Sequence, residues 1–153
     1  MTPTDTELIT PDLVDLDLRA DDRREAVRSL AMRLADAGRV TDLDTFLSDV
    51  EAREQQMATG LEGGIGIPHC RSSAVTAPTL AFGRSAAGVD FGAADGPATL
   101  IFLIAAPAGG GDAHLAVLAA LARRLVRAEF AQALREADDP AALAEYVRGE
   151  VAP

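Results

Sequence analysis

The chain contains no lysine; all fourteen of its basic residues are arginine. Nucleotide binding through a P-loop lysine, Schiff-base catalysis and pyridoxal phosphate attachment therefore lack their essential amine. Cysteine is scarce too: Cys70 stands alone, so no internal disulfide can form. Histidine occurs only as His69 and His114. No apolar run reaches the ~18 residues of a membrane span, and no charged-then-apolar signal segment opens the chain. These absences predict a cytoplasmic chain with no direct membrane insertion. The formal net charge of −10 repels phosphate backbones, which argues against nucleic acid as a partner.

What is present fits one α/β domain over residues 1–153, with its core at about residues 8–148. A chain of this size buries roughly 68–70% of its unfolded surface, enough for a core without staples. The near alternation of apolar and acidic residues at 13–18 predicts a short, half-exposed strand. From Asp22 the period becomes helical: Val27, Leu30, Ala31 and Leu34 share a face, and Gly38 offers a left-handed stop. Thr41 with Asp44 resembles a capping box for a second helix that should reach about Arg53. Strands are expected at residues 65–67, 79–83, 89–91 and 99–104, the last apolar at every residue after Thr99 and so central and covered on both faces. Asp112 can cap a helix striped by Leu115, Leu118, Ala122 and Leu125. Two shorter helices, about 131–137 and 141–148, follow. Strands interleaved with helices, some joined by short loops, imply a mixed sheet with helices packed on both faces.

The chemistry concentrates around Thr59-Gly60-Leu61-Glu62-Gly63-Gly64-Ile65-Gly66-Ile67-Pro68-His69. Pro68 should stop a strand and let His69 emerge at its end, where α/β sheets place reactive groups. Glycines at 60, 63, 64 and 66 could leave backbone N–H groups facing an anion. His69 is then either a strand-end histidine satisfied by backbone, or a nucleophile whose unprotonated nitrogen takes a phosphoryl group and releases it again. His114 is a residue of a helix N-terminal turn, or a donor to a phosphoryl oxygen on His69. Arg53 is one of fourteen solvated arginines, or a guanidinium that binds two phosphoryl oxygens.

Metal and thiol chemistry fit less well. Cys70 and Asp112-x-His114 invite a metal site with His69, but adjacent strand residues point to opposite faces. No HExxH, CxxC or paired-carboxylate spacing supplies further ligands, and no serine sits in a G-x-S-x-G elbow.

Taken in order, several segments resemble one family. They are Arg53-Glu54, Thr59-Gly60, Gly64-Ile65-Gly66-Ile67-Pro68-His69, Thr79-Leu80-Ala81-Phe82-Gly83-Arg84, Gly88-Val89-Asp90-Phe91, and Phe102-Leu103-Ile104-Ala105-Ala106-Pro107 followed by His114-Leu115. Over about residues 8–137 the chain is similar to the fructose-type enzyme IIA domains of the bacterial phosphoenolpyruvate-dependent sugar phosphotransferase system, within the mannitol, fructose and nitrogen-regulatory IIA family. The resemblance implies a phosphocarrier step without metal or cofactor. Phosphorylated HPr would pass its group to His69, and His69 to a cysteine of a IIB domain that serves a membrane IIC permease, to which the chain could be tethered at the inner face. By the same likeness His114 stabilises the phosphoryl group and Arg53 binds it. Cys70 departs from the pattern, because many relatives have a small residue there. The Phe91–Gly96 stretch resembles the fructose branch, and the alternative is a nitrogen-related regulator that controls partners by its phosphorylation state.

Overall fold

The computed structural model describes residues 7–109 and 113–151, the first three of the second stretch by backbone alone. In chain order the elements are β1 (Val14–Asp15), α1 (Arg23–Asp36), α2 (Leu43–Gln56), β2 (Gly60–Leu61), β3 (Ile65–Gly66), β4 (His69–Ser72), β5 (Thr79–Val89), β6 (Ala98–Pro107), α3 (Ala113–Leu125), α4 (Ala128–Glu136) and α5 (Pro140–Val151). A 3-10 turn at Pro11–Leu13 precedes β1.

The apolar run expected at residues 99–104 is the centre of a six-stranded sheet ordered β1-β5-β6-β3-β2, with β4 also paired to β6. β6 is parallel to β3 and β4 and antiparallel to β5, so the sheet is mixed. Alternation along β6 divides its cover. Ile101 lies opposite Gly83, where a Cβ would come within 2.7 Å of Leu18 and 3.3 Å of Leu30; the missing side chain lets α1 settle on that face. Phe102 lies on the other face, its ring 4.9 Å from that of Phe82. Arg84 shares that face and donates to the carbonyls of Leu134, Arg135 and Ala137 at the end of α4. Helices α1 and α2 thus cover one side, and α3 and α4 the other. Among the described residues no helix is long and apolar enough to cross a membrane.

Local expectations hold where a single residue decides them. The Asp22 carboxylate accepts from the Glu25 N–H at the start of α1, and Gly38 follows its end at φ +78°. Three expectations need correction. The cap of α2 is Asp42, not Thr41: its carboxylate accepts the Thr45 N–H at 3.1 Å, while the Thr41 hydroxyl donates across the chain to the Ala74 carbonyl. The strands expected at 79–83 and 89–91 are one strand, β5, with a register shift between Arg84 and Val89, and Phe91 lies beyond it. Pro68 does not end the strand line. Gly66 faces Ile101 and His69 faces Ile104, so β4 resumes the pairing in the same register after one residue without an N–H. Gly110, Gly111 and the expected cap Asp112 lie outside the described residues.

Candidate functional site

β4 carries the site because it is the sheet's edge beyond Pro68. It pairs with β6 on one side, while β2 pairs only with β3. A cavity of about 480 Å³ wraps around this edge, lined by Asp49 and Arg53 of α2, by His69, Cys70 and Arg71 of β4, and by Leu118 of α3. His69 and Arg53 are therefore brought together, although α2 lies on the opposite face of the sheet from the His69 side chain. Both residues line the one cavity at this open edge.

His69 is half-buried, and its Nδ1 lies 2.8 Å from the Ile67 carbonyl oxygen. A carbonyl can only accept, so Nδ1 carries a proton, and in the neutral ring Nε2 holds the lone pair. Arg53 differs from the other half-buried arginines. Arg23 binds Glu51, Arg33 and Arg39 donate to the Asp12 and Glu7 carbonyls, Arg84 caps α4, and Arg124 and Arg148 bond to Glu150 and to Ile9. Among the described residues no group bonds to the Arg53 side chain, so a half-buried cation faces the cavity unpaired, as an oxyanion site requires.

His114 falls in the first turn of α3, one turn before the cavity-lining Leu118. Its side chain lies outside the described residues. Sequence reasoning missed Arg71. It shares the His69 face of β4 at i+2, lines the same cavity, and donates to the Ala108 carbonyl in the connection toward α3. Alternation would have exposed it had the strand been continued past Pro68.

The glycine run does not supply the anion cradle expected of it. The Gly60 N–H donates to the Phe91 carbonyl and the Gly63 N–H to the Asp95 carboxylate, while Gly63 and Gly64 turn the β2–β3 hairpin at φ +93° and +77°. Gly66 serves packing: a Cβ there would fall 2.8 Å from the Phe91 ring. Positive charge at the cavity comes from arginine side chains instead.

Cys70 points to the α2 side of β4 and is 7% exposed. Burial, with a smaller push from the Asp49 carboxylate, raises its thiol to about 12. It is thus a neutral, packed side chain at physiological pH. Native protein is expected to resist iodoacetamide at about pH 8 and to react once unfolded in urea. Cys70→Ala is expected to retain phosphoryl transfer at a stability loss of ~1 kcal/mol. The raised thiol also fixes a sign: the folded state stays protonated while the unfolded thiol ionises, so stability falls as pH rises from its ordinary 9.0 toward about 12. Urea midpoints of wild type and Cys70→Ala should draw together as pH rises into that window and then cross, leaving wild type the less stable of the two.

Similarity to known proteins extends over almost the whole chain. Residues 7–149 match the family model described as "Phosphoenolpyruvate-dependent sugar phosphotransferase system, EIIA 2". The chain is 44% identical over 140 residues to the fructose-specific EIIA component of Haloferax volcanii, covering 90% of this chain and 91% of that one. It is 35% identical over 143 residues to the fructose-specific EIIABC component of Bacillus subtilis, covering 93% of this chain but 22% of that longer protein. Among solved structures, the nitrogen regulatory protein IIA-Ntr of Neisseria meningitidis superposes with a TM-score of 0.81 at 28% identity, covering 94% of this chain and 96% of that one. A match that spans nearly every described element, from the 3-10 turn into α5, places the chain in the EIIA 2 family of the phosphoenolpyruvate-dependent sugar phosphotransferase system, a family of phosphotransferases.

Proposed function

We propose that His69 is the phosphoryl acceptor of this EIIA chain, taking the group from phosphorylated HPr on Nε2 and passing it to the cysteine of a IIB domain in fructose uptake. The observation that carries this reading is the 2.8 Å contact between His69 Nδ1 and the Ile67 carbonyl, which leaves Nε2 as the nucleophile at a cavity lined by a guanidinium without a partner among the described residues. In the first step Nε2 attacks phosphorus, a new N–P bond forms, and the N–P bond to the HPr imidazole breaks. Positive charge that develops on the His69 ring is shared with Nδ1–H, and the Ile67 carbonyl stabilises it. In the second step the IIB thiolate attacks phosphorus and neutral His69 departs. Arg53 and Arg71 hold the non-bridging oxygens through both steps, and His114 donates to them from the first turn of α3. Neither step uses a metal or a cofactor, and the reaction runs in the cytoplasm.

The test begins with the wild-type chain. Incubation with phosphoenolpyruvate, enzyme I and HPr is expected to add a single phosphoryl group, stable in base and lost in acid, as a phosphoramidate requires. Discharge onto a fructose IIB domain supports the transport reading, which the likeness to the Haloferax volcanii fructose component favours. The likeness to the Neisseria meningitidis regulator favours the second reading, in which phosphorylation of His69 switches the binding of a regulated partner. Phosphorylation without discharge onto IIB would select it.

A further inference from the structure

We infer that Glu54 is the positioning residue that aims the His69 imidazole, acting through Thr59 and the Ile67 carbonyl. The inference rests on His69 being the acceptor and concerns what sets its tautomer. Glu54 is 5% exposed and lies in the last turn of α2, next to Arg53. That is a poor place for a carboxylate, because burial removes its hydration and the helix C-terminus presents negative potential to it. Its only bonds among the described residues go to Thr59. Oε2 accepts the Thr59 N–H at 2.9 Å, and Oε1 accepts the Thr59 hydroxyl at 2.8 Å. The nearby Arg23 and Arg24 are engaged with Glu51. Among the described residues the carboxylate therefore hydrogen-bonds to one residue of the α2–β2 connection and to no other.

Thr59 passes the constraint on. Its carbonyl accepts the Ile67 N–H at 3.1 Å. Ile67 precedes Pro68, which confines its backbone to the extended region, and the Pro68 carbonyl accepts the Ile104 N–H at 3.0 Å. With its N–H held by Thr59 and the next residue held by β6, the Ile67 carbonyl has one direction available, toward His69 Nδ1 at 2.8 Å. The chain Glu54, Thr59, Ile67, His69 thus runs from the helix that carries Arg53 to the imidazole. A single buried carboxylate sets the placement of both groups. Thr59 and Glu54 gain nothing from this wiring if the site is only a packed edge, since an apolar pair of the same shape would stabilise the junction at least as well.

The test uses Glu54→Gln, which keeps the shape but removes the charge and one acceptor, and Thr59→Val, which removes the hydroxyl alone. Three readouts follow the chain outward: hydrogen exchange of the Ile67 amide, the ¹⁵N shifts of the His69 ring nitrogens, and the rate of phosphoryl transfer per folded molecule. In wild type the shifts are expected to report the Nδ1–H tautomer. In Glu54→Gln the Ile67 amide is expected to exchange about tenfold faster, the Nδ1–H population to fall, and transfer to slow about tenfold. Thr59→Val should move all three in the same direction by less, and Thr59→Ser should restore them. If both variants keep wild-type exchange, shifts and rates, or if only their melting temperature drops, Glu54 is merely structural and the inference is wrong. That outcome is separate from failure of the acceptor assignment, which is read from phosphorylation of a chain lacking His69.

Discussion

His69→Ala is expected to take up no phosphoryl group from HPr, against one group per wild-type chain, because no other described side chain presents an unprotonated nitrogen or an ionised thiolate at the cavity. The alternatives there are arginines, which are never nucleophiles at neutral pH, Cys70, whose buried thiol stays protonated, and the Asp49 carboxylate, whose acyl phosphate would be lost in base where a phosphoramidate is stable. The substitution removes a half-buried ring from an edge strand, so the fold should survive with a modest loss. Circular dichroism and melting verify that. His69→Gln sharpens the test, since an amide can still hydrogen-bond near the Ile67 carbonyl yet cannot carry a phosphoryl group. Stoichiometric labelling of either variant, with the fold intact, would remove His69 from the centre of the mechanism.

Arg53→Ala is expected to slow phosphoryl transfer about hundredfold in both directions, toward His69 and away from it, corresponding to ~3 kcal/mol of lost transition-state stabilisation. The estimate rests on the unpaired state of this guanidinium. Among the described residues it has no structural partner to release, so the loss should appear in transfer and hardly in the melting temperature. Arg53→Lys is expected to fall between wild type and Arg53→Ala, because an ammonium keeps the charge but not the two-pronged geometry. His114→Ala should give a slowing of the same order if the first turn of α3 donates to the phosphoryl group. Arg71→Ala should show a mixed effect, since its guanidinium also bonds the Ala108 carbonyl in the connection to α3. Rapid-quench measurement of both half-reactions separates these cases. Wild-type rates in Arg53→Ala would return it to the status of a solvated arginine.

The mixed sheet, its central strand and the cover of both faces were legible because each rests on local pattern. A run of apolar residues without alternation can only be buried on both sides, and Val27, Leu30, Ala31 and Leu34 fall on one helical stripe whatever lies opposite. His69 stood out for a similar reason, as a rare residue type beside a proline in a glycine-rich run. The glycine run itself was misread, because residue type shows that a backbone can bend but not which partner its N–H will find. Asp95 and the Phe91 carbonyl, both remote in sequence, took the N–H groups of Gly63 and Gly60. Thr41 lost its cap for the same reason, its hydroxyl being drawn to the Ala74 carbonyl 33 residues away.

What the sequence by itself determined, then, was the set of groups: an imidazole able to carry phosphate, arginines with no lysine among them, and a thiol on the wrong side of the strand. Only the tertiary structure decided how they face one another. Arg53 and His69 line one cavity because α2 packs beside the open edge at β4, and Arg71 joins them because β4 continues β3 in register past Pro68. The hydrogen bond that occupies Nδ1 and leaves Nε2 free belongs to the same level. It follows from the direction of one backbone carbonyl, and that direction is fixed by hydrogen bonds to Thr59 and Ile104 across the fold, which no spacing along the chain encodes.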